Sequence, residues 1–354
     1  MISIDNMAKI RNVDKNNMLE FLNFFPRQLR DALSIGDRTD IKANYNKQYS
    51  NIIFAGLGGS AIGGDLVSSA VEDDIKVPVL VRRDYALPSF TGRESLVFIA
   101  SYSGNTEETL SAYRDALSRG AKIVVITSGG RLRKWALKHK NILIIIPEGY
   151  PPRCALAYSF ALPLIILYKL RLIKDRRQEI KKAAGLLDRL KESEIGVEIK
   201  KKANISKQVA GAIYSKFPVI YSSAKIGSVA LRWRGQLSEN SKILSSSNIF
   251  PEMNHNEIMG WSKTYSLRKD IIAILLKGKR DPEKIKKRMN ITENILKREK
   301  YKVVEVKSRG DSIIENMLSL IYIGDFVSFY LAVLNKIDPT PVDKIAYLKS
   351  KIAE

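Results

Sequence analysis

Three hydroxyl side chains in one short run could bind a phosphate group. Ser101, Ser103 and Thr106 occur in Ser101-Tyr-Ser-Gly-Asn-Thr106, between an apolar run and a segment with helical periodicity. The first N–H groups of a helix have no intrahelical partner and lie at the positive end of its dipole, so they suit an anion. Helix capping by Ser103 or Thr106 explains the same residues. Three hydroxyls exceed what one cap needs, and the run therefore predicts an anion site.

A glycine-rich run has the composition of a tight turn that lets a ligand approach the backbone. Gly56-Leu-Gly-Gly-Ser-Ala61 follows another apolar run, and its Gly59 and Ser60 stand where a helix is expected to begin. The spacing formally matches a dinucleotide fingerprint, and Arg82 and Arg83 after the next strand could mimic a 2′-phosphate site. The Gly-Lys-Ser/Thr of a nucleotide P-loop is missing. With a second hydroxyl loop nearby, a small phosphorylated sugar fits better than a dinucleotide.

Three further residues have side chains suited to moving protons or offsetting charge. Glu239 stands near the end of a predicted helix that begins near Gly227, His255 is surrounded by polar residues, and Arg153 follows two prolines. A carboxylate can act as general base and then acid, a histidine exchanges protons near neutral pH, and a cation can offset developing negative charge. Residue types alone leave open an exposed glutamate, a structural histidine and an arginine paired with an incidental carboxylate.

The elements that must position these residues alternate between strand and helix. Apolar runs predict strands at 52–55, 77–82, 95–100, 122–127 and 142–146, with helices at 60–71, 107–121 and 132–138. Such alternation predicts a doubly wound parallel sheet of the flavodoxin-like type, in which ligands bind beyond the carboxyl ends of the strands. Both polar loops follow strands and are expected at that edge.

The second half repeats this plan without an intact Ser-x-Ser-Gly-x-Thr run. Strands are predicted from Phe217 and at 271–276 and 302–307, with helices at 281–298 and 312–334. The predicted organisation is an N-terminal helical segment at 1–45, a first α/β domain at 46–172, a charged helical linker at 173–204 and a second α/β domain at 205–354 with an active-site tail. Within it, residues 14–34 are expected to be helical, with an interruption or restart at Pro26, and to pack on the first domain.

Composition excludes several classes of protein. The 354 residues include one cysteine, Cys154, and two histidines, so an intrachain disulfide, a cysteine-based zinc site and a histidine-rich metal centre are not expected. A reducing cytoplasm fits. The start lacks the pattern of a signal peptide, and the apolar run 155–173 contains Pro163, Lys169 and Arg171, which favours a buried helix over a membrane span.

The net charge of +22 raises the question of nucleic-acid binding. The basic residues are scattered among acidic ones, and no recognised nucleic-acid motif or basic tail stands out. A generally basic surface, which would also attract an anionic substrate, is the favoured interpretation. Neither a specific nucleic acid nor a membrane is expected as a partner.

The run Ser-Tyr-Ser-Gly-Asn-Thr-Glu-Glu-Thr resembles the sugar-phosphate loop of the sugar isomerase (SIS) domain family. Glu-Asn-Ser-Lys at 239–242 and Asn-His-Asn-Glu at 254–257, with their Glu and His sixteen residues apart, narrow the resemblance to the archaeal bifunctional phosphoglucose/phosphomannose isomerases. The C-terminal run from Asp338 to Lys349 resembles the closing motif of that family. The resemblance covers the chain from about residue 50 to its C-terminus.

The resemblance implies an aldose–ketose isomerase that needs no cofactor or metal. Glu239 would be the base, His255 would open the sugar ring from the partner subunit of a homodimer, and Arg153 would stabilise the enediolate. Lys349 would act at the active site, with Lys344 as the competing assignment because alignment is uncertain at a terminus. The residues expected to bind the sugar phosphate include Arg153, His255 and Lys349. The others are Gly59, Ser60, Ser101, Ser103 and Thr106.

Two other functions remain open at this stage. A SIS-type sugar-phosphate sensor or regulator would keep the hydroxyl loop but would not need Glu239 or His255. An isomerase for a single other sugar phosphate, or for glucose 6-phosphate alone, would keep every candidate residue. Comparing turnover with sugar-phosphate binding in Glu239→Gln separates the enzyme from the sensor, and a test with mannose 6-phosphate separates the dual-specificity isomerase from the single-substrate one.

Overall fold

The computed structural model describes residues 4–352 and divides the chain into two compact units. The first unit is Phe24–Gly185, and the second unit joins Met1–Asn23 to Leu186–Glu354. The expectation that residues 14–34 pack on the first domain is therefore wrong for residues 14–23, whereas residues 24–34 do belong to the unit of the first domain. The Lys207 ammonium binds the Asp5 carboxylate at 3.0 Å, and Asn16 donates to Asp338 at 2.7 Å. These polar contacts tie the start of the chain to its second half.

The helices and strands follow the alternation expected from the sequence. In chain order the helices are α1 (Met7–Val13), α2 (Met18–Asn23), α3 (Phe25–Arg38), α4 (Gly59–Val71), α5 (Glu107–Ser118), α6 (Gly130–Lys138), α7 (Leu156–Lys169), α8 (Arg177–Leu190), α9 (Ile205–Ile213), α10 (Gly227–Ser241), α11 (Glu283–Arg298), α12 (Ile313–Leu334) and α13 (Asp343–Ile352). The strands are β1 (Asn51–Ala55), β2 (Val79–Arg82), β3 (Ser95–Ala100), β4 (Lys122–Thr127), β5 (Ile142–Ile145), β6 (Phe217–Ser223), β7 (Ser246–Phe250), β8 (Ile271–Lys277) and β9 (Lys302–Lys307).

The first sheet has five parallel strands in the order β2-β1-β3-β4-β5. This is the flavodoxin-like order, and it confirms the predicted doubly wound fold. Every residue of β1 and β3 is buried, because helices cover both faces of a parallel sheet. Phe54 and Phe98 are paired in register, and their rings stack with centroids 4.8 Å apart.

The second sheet has four parallel strands in the order β7-β6-β8-β9 and repeats the first plan with one strand fewer. The strand β7 was not predicted, because Ser246, Ser247 and Asn248 give it no apolar run. The helix α13 was also not predicted, and none of its residues with a described side chain is buried.

The long helix α12 forms the centre of the second unit. Ser312 and Glu315 form a capping box at its start, and it is long and apolar enough to cross a membrane by composition alone. Its apolar window is entirely buried within the protein, which is the behaviour of a core helix. Trp233 of α10 donates to the Leu320 carbonyl of α12 at 2.9 Å, and the absence of a Cβ at Gly324 makes room for the indole.

A buried ion pair also joins α10 to α12. The Arg232 guanidinium donates to both carboxylate oxygens of Asp325, at 3.3 and 3.1 Å, and both side chains are about 95% buried. Asn240 donates to the Ser328 hydroxyl at 2.9 Å, and Ser241 donates to the Ser328 carbonyl at 2.7 Å. The C-terminal end of α10 is therefore fixed by polar bonds as well as by apolar packing.

We expect Arg232→Met to lower the free energy of unfolding by about 3–5 kcal/mol, because it leaves the Asp325 carboxylate buried without its cation. The double variant Arg232→Met/Asp325→Leu should recover most of that loss, because it removes both charges. Urea denaturation followed by circular dichroism measures both. Equal destabilisation of the single and double variants would contradict this account of the pair.

Candidate functional site

Two polar loops of the first unit leave the carboxyl ends of adjacent strands. The glycine-rich loop follows β1 and leads into α4, and the hydroxyl loop follows β3 and leads into α5. A Cβ on Gly56 would lie 2.7 Å from the Ala100 carbonyl oxygen, so only glycine permits this approach of the first loop to the end of β3. Parallel pairing of β1 with β3 therefore brings the two loops together, as expected from the sequence.

The hydroxyls of Ser101 and Thr106 bind each other at 2.8 Å across the second loop. Thr106 occupies the N-cap position of α5, but its side chain makes no capping hydrogen bond. Ser103 is exposed, and its hydroxyl accepts from the Asn105 N–H at 3.3 Å. The Thr106 hydroxyl therefore does not cap α5. The loop gathers three hydroxyls at the start of a helix, an arrangement that suits an anion.

The hydroxyl loop is held in shape by the loop that follows β4. Gly104 has φ +68°, and a Cβ there would lie 1.9 Å from the Gly129 carbonyl oxygen. The Ser128 N–H and hydroxyl both donate to the Tyr102 carbonyl, at 3.0 and 2.8 Å, and the Arg131 N–H donates to Asn105 Oδ1 at 3.0 Å. The loop after β4 thus supports the hydroxyl loop after β3.

Arg153 lies beside the glycine-rich loop. A Cβ on Gly59 would lie 2.9 Å from the Pro152 carbonyl oxygen and 3.3 Å from the Arg153 Cα, so glycine is needed for this approach. The Gly59 carbonyl accepts from the Ser159 hydroxyl of α7 at 3.1 Å. Arg153 is 3% exposed, which places a charged side chain in the interior of the unit. The Arg153 backbone therefore lies beside Gly59, which precedes Ser60 in the chain, and the roles of these three residues stay predictions.

The two arginines considered for a dinucleotide 2′-phosphate already bind carboxylates. Arg82 pairs with Asp84 at 2.8 Å, and Arg83 pairs with Asp65 of α4. Burial raises the pKa of the Asp65 carboxyl, and the Arg83 guanidinium opposes that rise. These pairs give the nucleotide interpretation no support.

Gly104→Ala should lower the free energy of unfolding by about 2 kcal/mol or more and weaken inorganic phosphate binding, because the methyl group strains φ and collides with the Gly129 carbonyl. Gly149→Ala is the matched control, because Gly149 has φ +93° with nothing within 4 Å of an added Cβ. The control should lose only about 1 kcal/mol, the strain alone. Urea denaturation and phosphate titration calorimetry measure these effects, and equal losses would refute the collision.

The second unit holds Glu239, His255, Lys344 and Lys349. Glu239 is half-buried in the last turn of α10 and lines a cavity of about 660 Å³. The cavity lies between the end of α10 and the segment that leads into α13. Its lining residues are Ser238, Glu239, Lys242, Ile243, Leu244, Ile337, Pro341, Val342, Asp343, Lys344 and Ile345.

The two competing lysines lie on the same exposed helix α13. Lys344 lines the cavity that holds Glu239, whereas Lys349 is not among its lining residues. Both side chains are exposed. Lys344, the competing candidate, therefore shares a cavity with Glu239, and Lys349 does not. The choice of Lys349 as the active-site lysine stays a prediction.

His255 is exposed on the segment after β7 and does not line the Glu239 cavity. Its segment is anchored two residues later by Glu257, whose carboxylate accepts from the Tyr221 hydroxyl and from Asn248 Nδ2. Burial, followed by this contact with Glu257, raises the pKa of Tyr221, whose oxygen also accepts from the Trp261 indole at 2.8 Å. Sequence reasoning missed this anchor, because its members are scattered from β6 to residue 261.

Among residues 4–352, no group of three or more histidine, cysteine, aspartate or glutamate side chains is arranged to hold a metal ion. The candidate residues are instead hydroxyl, carboxylate, imidazole and cationic groups.

Two family models match the chain and define its class. The SIS domain matches residues 46–172, and the C-terminal SIS domain of bacterial phosphoglucose isomerase matches residues 202–352. A solved structure of a hypothetical protein from Thermus thermophilus aligns with 98% of this chain and 93% of its own, with a TM-score of 0.78 at 15% sequence identity. At that identity the likeness concerns the fold alone. The protein is thus built from two SIS domains.

Relatives narrow the class further. The chain is 41% identical to the bifunctional phosphoglucose/phosphomannose isomerase of Caldicellulosiruptor bescii over 95% of this chain and 99% of the relative. It is 38% identical to the protein of the same description from Aquifex aeolicus, over 86% of this chain and 91% of that one. The chain belongs to the family of bifunctional phosphoglucose/phosphomannose isomerases.

Proposed function

We propose that this enzyme interconverts glucose 6-phosphate and mannose 6-phosphate with fructose 6-phosphate. The observation that carries the proposal is the 41% identity to a named isomerase over nearly the whole length of both chains. The hydroxyl loop supports it independently, because Ser101, Ser103 and Thr106 offer hydroxyls at a helix start, where a phosphate is favoured. The net charge of +22 would draw such an anion toward the protein.

The reaction needs ring opening followed by proton transfer between C1 and C2 through a cis-enediol. In the proposed roles, His255 exchanges the ring hydroxyl proton, and Glu239 removes a proton from one carbon and returns it to the other. Arg153 offsets the negative charge of the enediolate, and Lys349 or Lys344 assists at the sugar. The proposed chemistry requires neither a redox cofactor nor a metal.

Dual specificity follows from the chemistry of the substrates. Glucose 6-phosphate and mannose 6-phosphate differ only in configuration at C2, and that carbon becomes planar in the enediol. Both aldoses therefore yield one intermediate. An enzyme that accepts either C2 orientation makes fructose 6-phosphate from both.

The first experiment is a coupled assay of fructose 6-phosphate formation from each aldose, with EDTA present. We expect turnover of both aldoses, and Glu239→Gln should lower kcat for each by about 10²–10⁴-fold because it removes the proton carrier. Glu283→Gln is the control, since the Glu283 carboxylate is exposed, lies outside the Glu239 cavity and binds Lys286 at 2.7 Å in a surface pair.

The outcomes of this assay separate the competing functions. Turnover of glucose 6-phosphate alone would remove dual specificity but keep the roles of the residues. Binding of both sugar phosphates without turnover would instead favour a sensor or regulator. Full activity in Glu239→Gln would refute the assignment of the base.

We also propose a cytoplasmic homodimer in which His255 completes the site of the partner subunit. Its exposed position, outside the cavity lined by Glu239, supports this arrangement. The anchoring of its segment through Glu257 would hold the imidazole outward at a fixed place. A single cysteine suits a reducing compartment.

Mixing two inactive variants tests the shared site. Glu239→Gln and His255→Ala should each be inactive alone, and subunit exchange should restore about a quarter of the wild-type activity, since half of the dimers are mixed and each has one intact site. As a control, Glu239→Gln mixed with Glu239→Gln/His255→Ala should restore none. Failure to recover activity despite exchange, shown by two affinity tags, would place both residues in one subunit.

A further inference from the structure

Lys242 closes α10 in a backbone conformation that a residue with a Cβ rarely adopts. Its φ is +57° and its ψ is +35°, and its N–H donates to the Leu237 carbonyl. Glycine or asparagine is usual at such a position, because a side chain crowds the backbone there. Lys140, Lys300 and Lys336 also have positive φ, so the conformation by itself assigns no role to the Lys242 side chain. The contacts of its ammonium group are what distinguish it.

The Lys242 ammonium joins the end of α10 to the C-terminal segment. It donates to the carbonyl of Glu239 and to those of Pro339 and Pro341, the latter two at 3.3 and 2.6 Å. An ammonium group has three donors, so these carbonyls match its capacity. One of the bonded residues is the candidate base itself, and the other two precede α13.

The two segments joined by Lys242 form the walls of the Glu239 cavity. The end of α10 contributes Glu239, and the C-terminal segment contributes Ile337 and Pro341 through Ile345. The Lys242 ammonium bonds run between these two walls and therefore contribute to their spacing. Asn16 holds Asp338 at 2.7 Å, and Asn335 donates to the Ser241 carbonyl at 3.2 Å. These bonds attach the segment near its start, and Lys242 adds a bond farther along the chain, at the Pro341 carbonyl.

We propose that Lys242 is a positioning residue that ties the C-terminal segment to the backbone of Glu239 and thereby fixes the carboxylate in its cavity. The catalytic meaning of this tie rests on the proposed function, in which Glu239 carries the proton. The tie also places the start of α13, and hence Lys344, relative to Glu239. A proton carrier needs such support because small misplacements slow a reaction strongly.

Three variants of Lys242 separate its side chain from its backbone conformation. Lys242→Gly relieves the backbone but removes the ammonium, Lys242→Met keeps the length without the charge, and Lys242→Arg keeps a cation. Lys300→Gly is the matched control. Lys300 has φ +63°, is exposed and does not line the cavity, and its ammonium has no bonding partner among residues 4–352.

We expect kcat to fall about 10–100-fold in Lys242→Gly and Lys242→Met while KM changes less than about threefold, because the base is displaced but the phosphate loop is intact. Lys242→Arg should recover part of kcat. The melting temperature of Lys242→Gly should lie at most a few degrees below that of wild type. The control Lys300→Gly should retain wild-type kcat.

Hydrogen exchange of residues 337–352 supplies a readout that does not depend on activity. Lys242→Gly and Lys242→Met should exchange faster there than wild type, whereas Lys300→Gly should not. If the wild-type protein had no isomerase activity but the Lys242 variants still exchanged faster, the structural tie would be supported and the proposed function would be refuted. Unchanged exchange, or a kcat loss equal in Lys300→Gly, would overturn the positioning role.

Discussion

Parallel pairing of β1, β3 and β4 is the constraint on which the candidate phosphate site depends. Because these strands run in one direction, the loops that follow them emerge at one edge of the sheet. The loops then support one another through contacts that only glycine allows: Gly56 against Ala100, Gly104 against Gly129, and Gly59 against Pro152. A fixed array of hydroxyls and amides results, and a fixed array can hold a phosphate without being reorganised on binding.

The second unit repeats the sheet but uses its parts differently. Its helix α10 leads away from β6 as α4 leads away from β1, yet the candidate base stands at the far end of α10, not at its start. That end is held by Asn240 and Ser241 against α12 and by Lys242 against the C-terminal segment, while Arg232 joins an earlier turn of α10 to α12. Two units of similar plan therefore carry two kinds of candidate site. The first unit holds the candidate anion loop, and the second holds the candidate base Glu239.

Burial explains why the polar supports described above in the second unit occur as networks and not as single bonds. A buried charge or amide without a partner costs more than a bonded one contributes, so such groups occur in networks. Asp325, Ser328 and Tyr221 each have partners from another element. These networks fix the ends of α10 and the segment of His255, while the apolar core alone would permit small shifts of both.

The sequence by itself determined the class of fold and the hydroxyl loop, because a buried parallel strand is a continuous apolar run and the loop is local. The sheet order and the family matches confirm the fold, and the loop lies between β3 and α5 as predicted. Its role in phosphate binding stays a prediction. The sequence did not predict β7, because its residues are mostly polar, or α13, because an exposed helix lacks the pattern of a buried face. Only the tertiary structure decided that residues 4–23 belong with the second half, that Lys344 faces the Glu239 cavity, and that Lys242 joins that glutamate to Pro341. Each of these depends on contacts between residues far apart in the chain, or on which way a helix turns its side chains after packing, and no local pattern of residues encodes either.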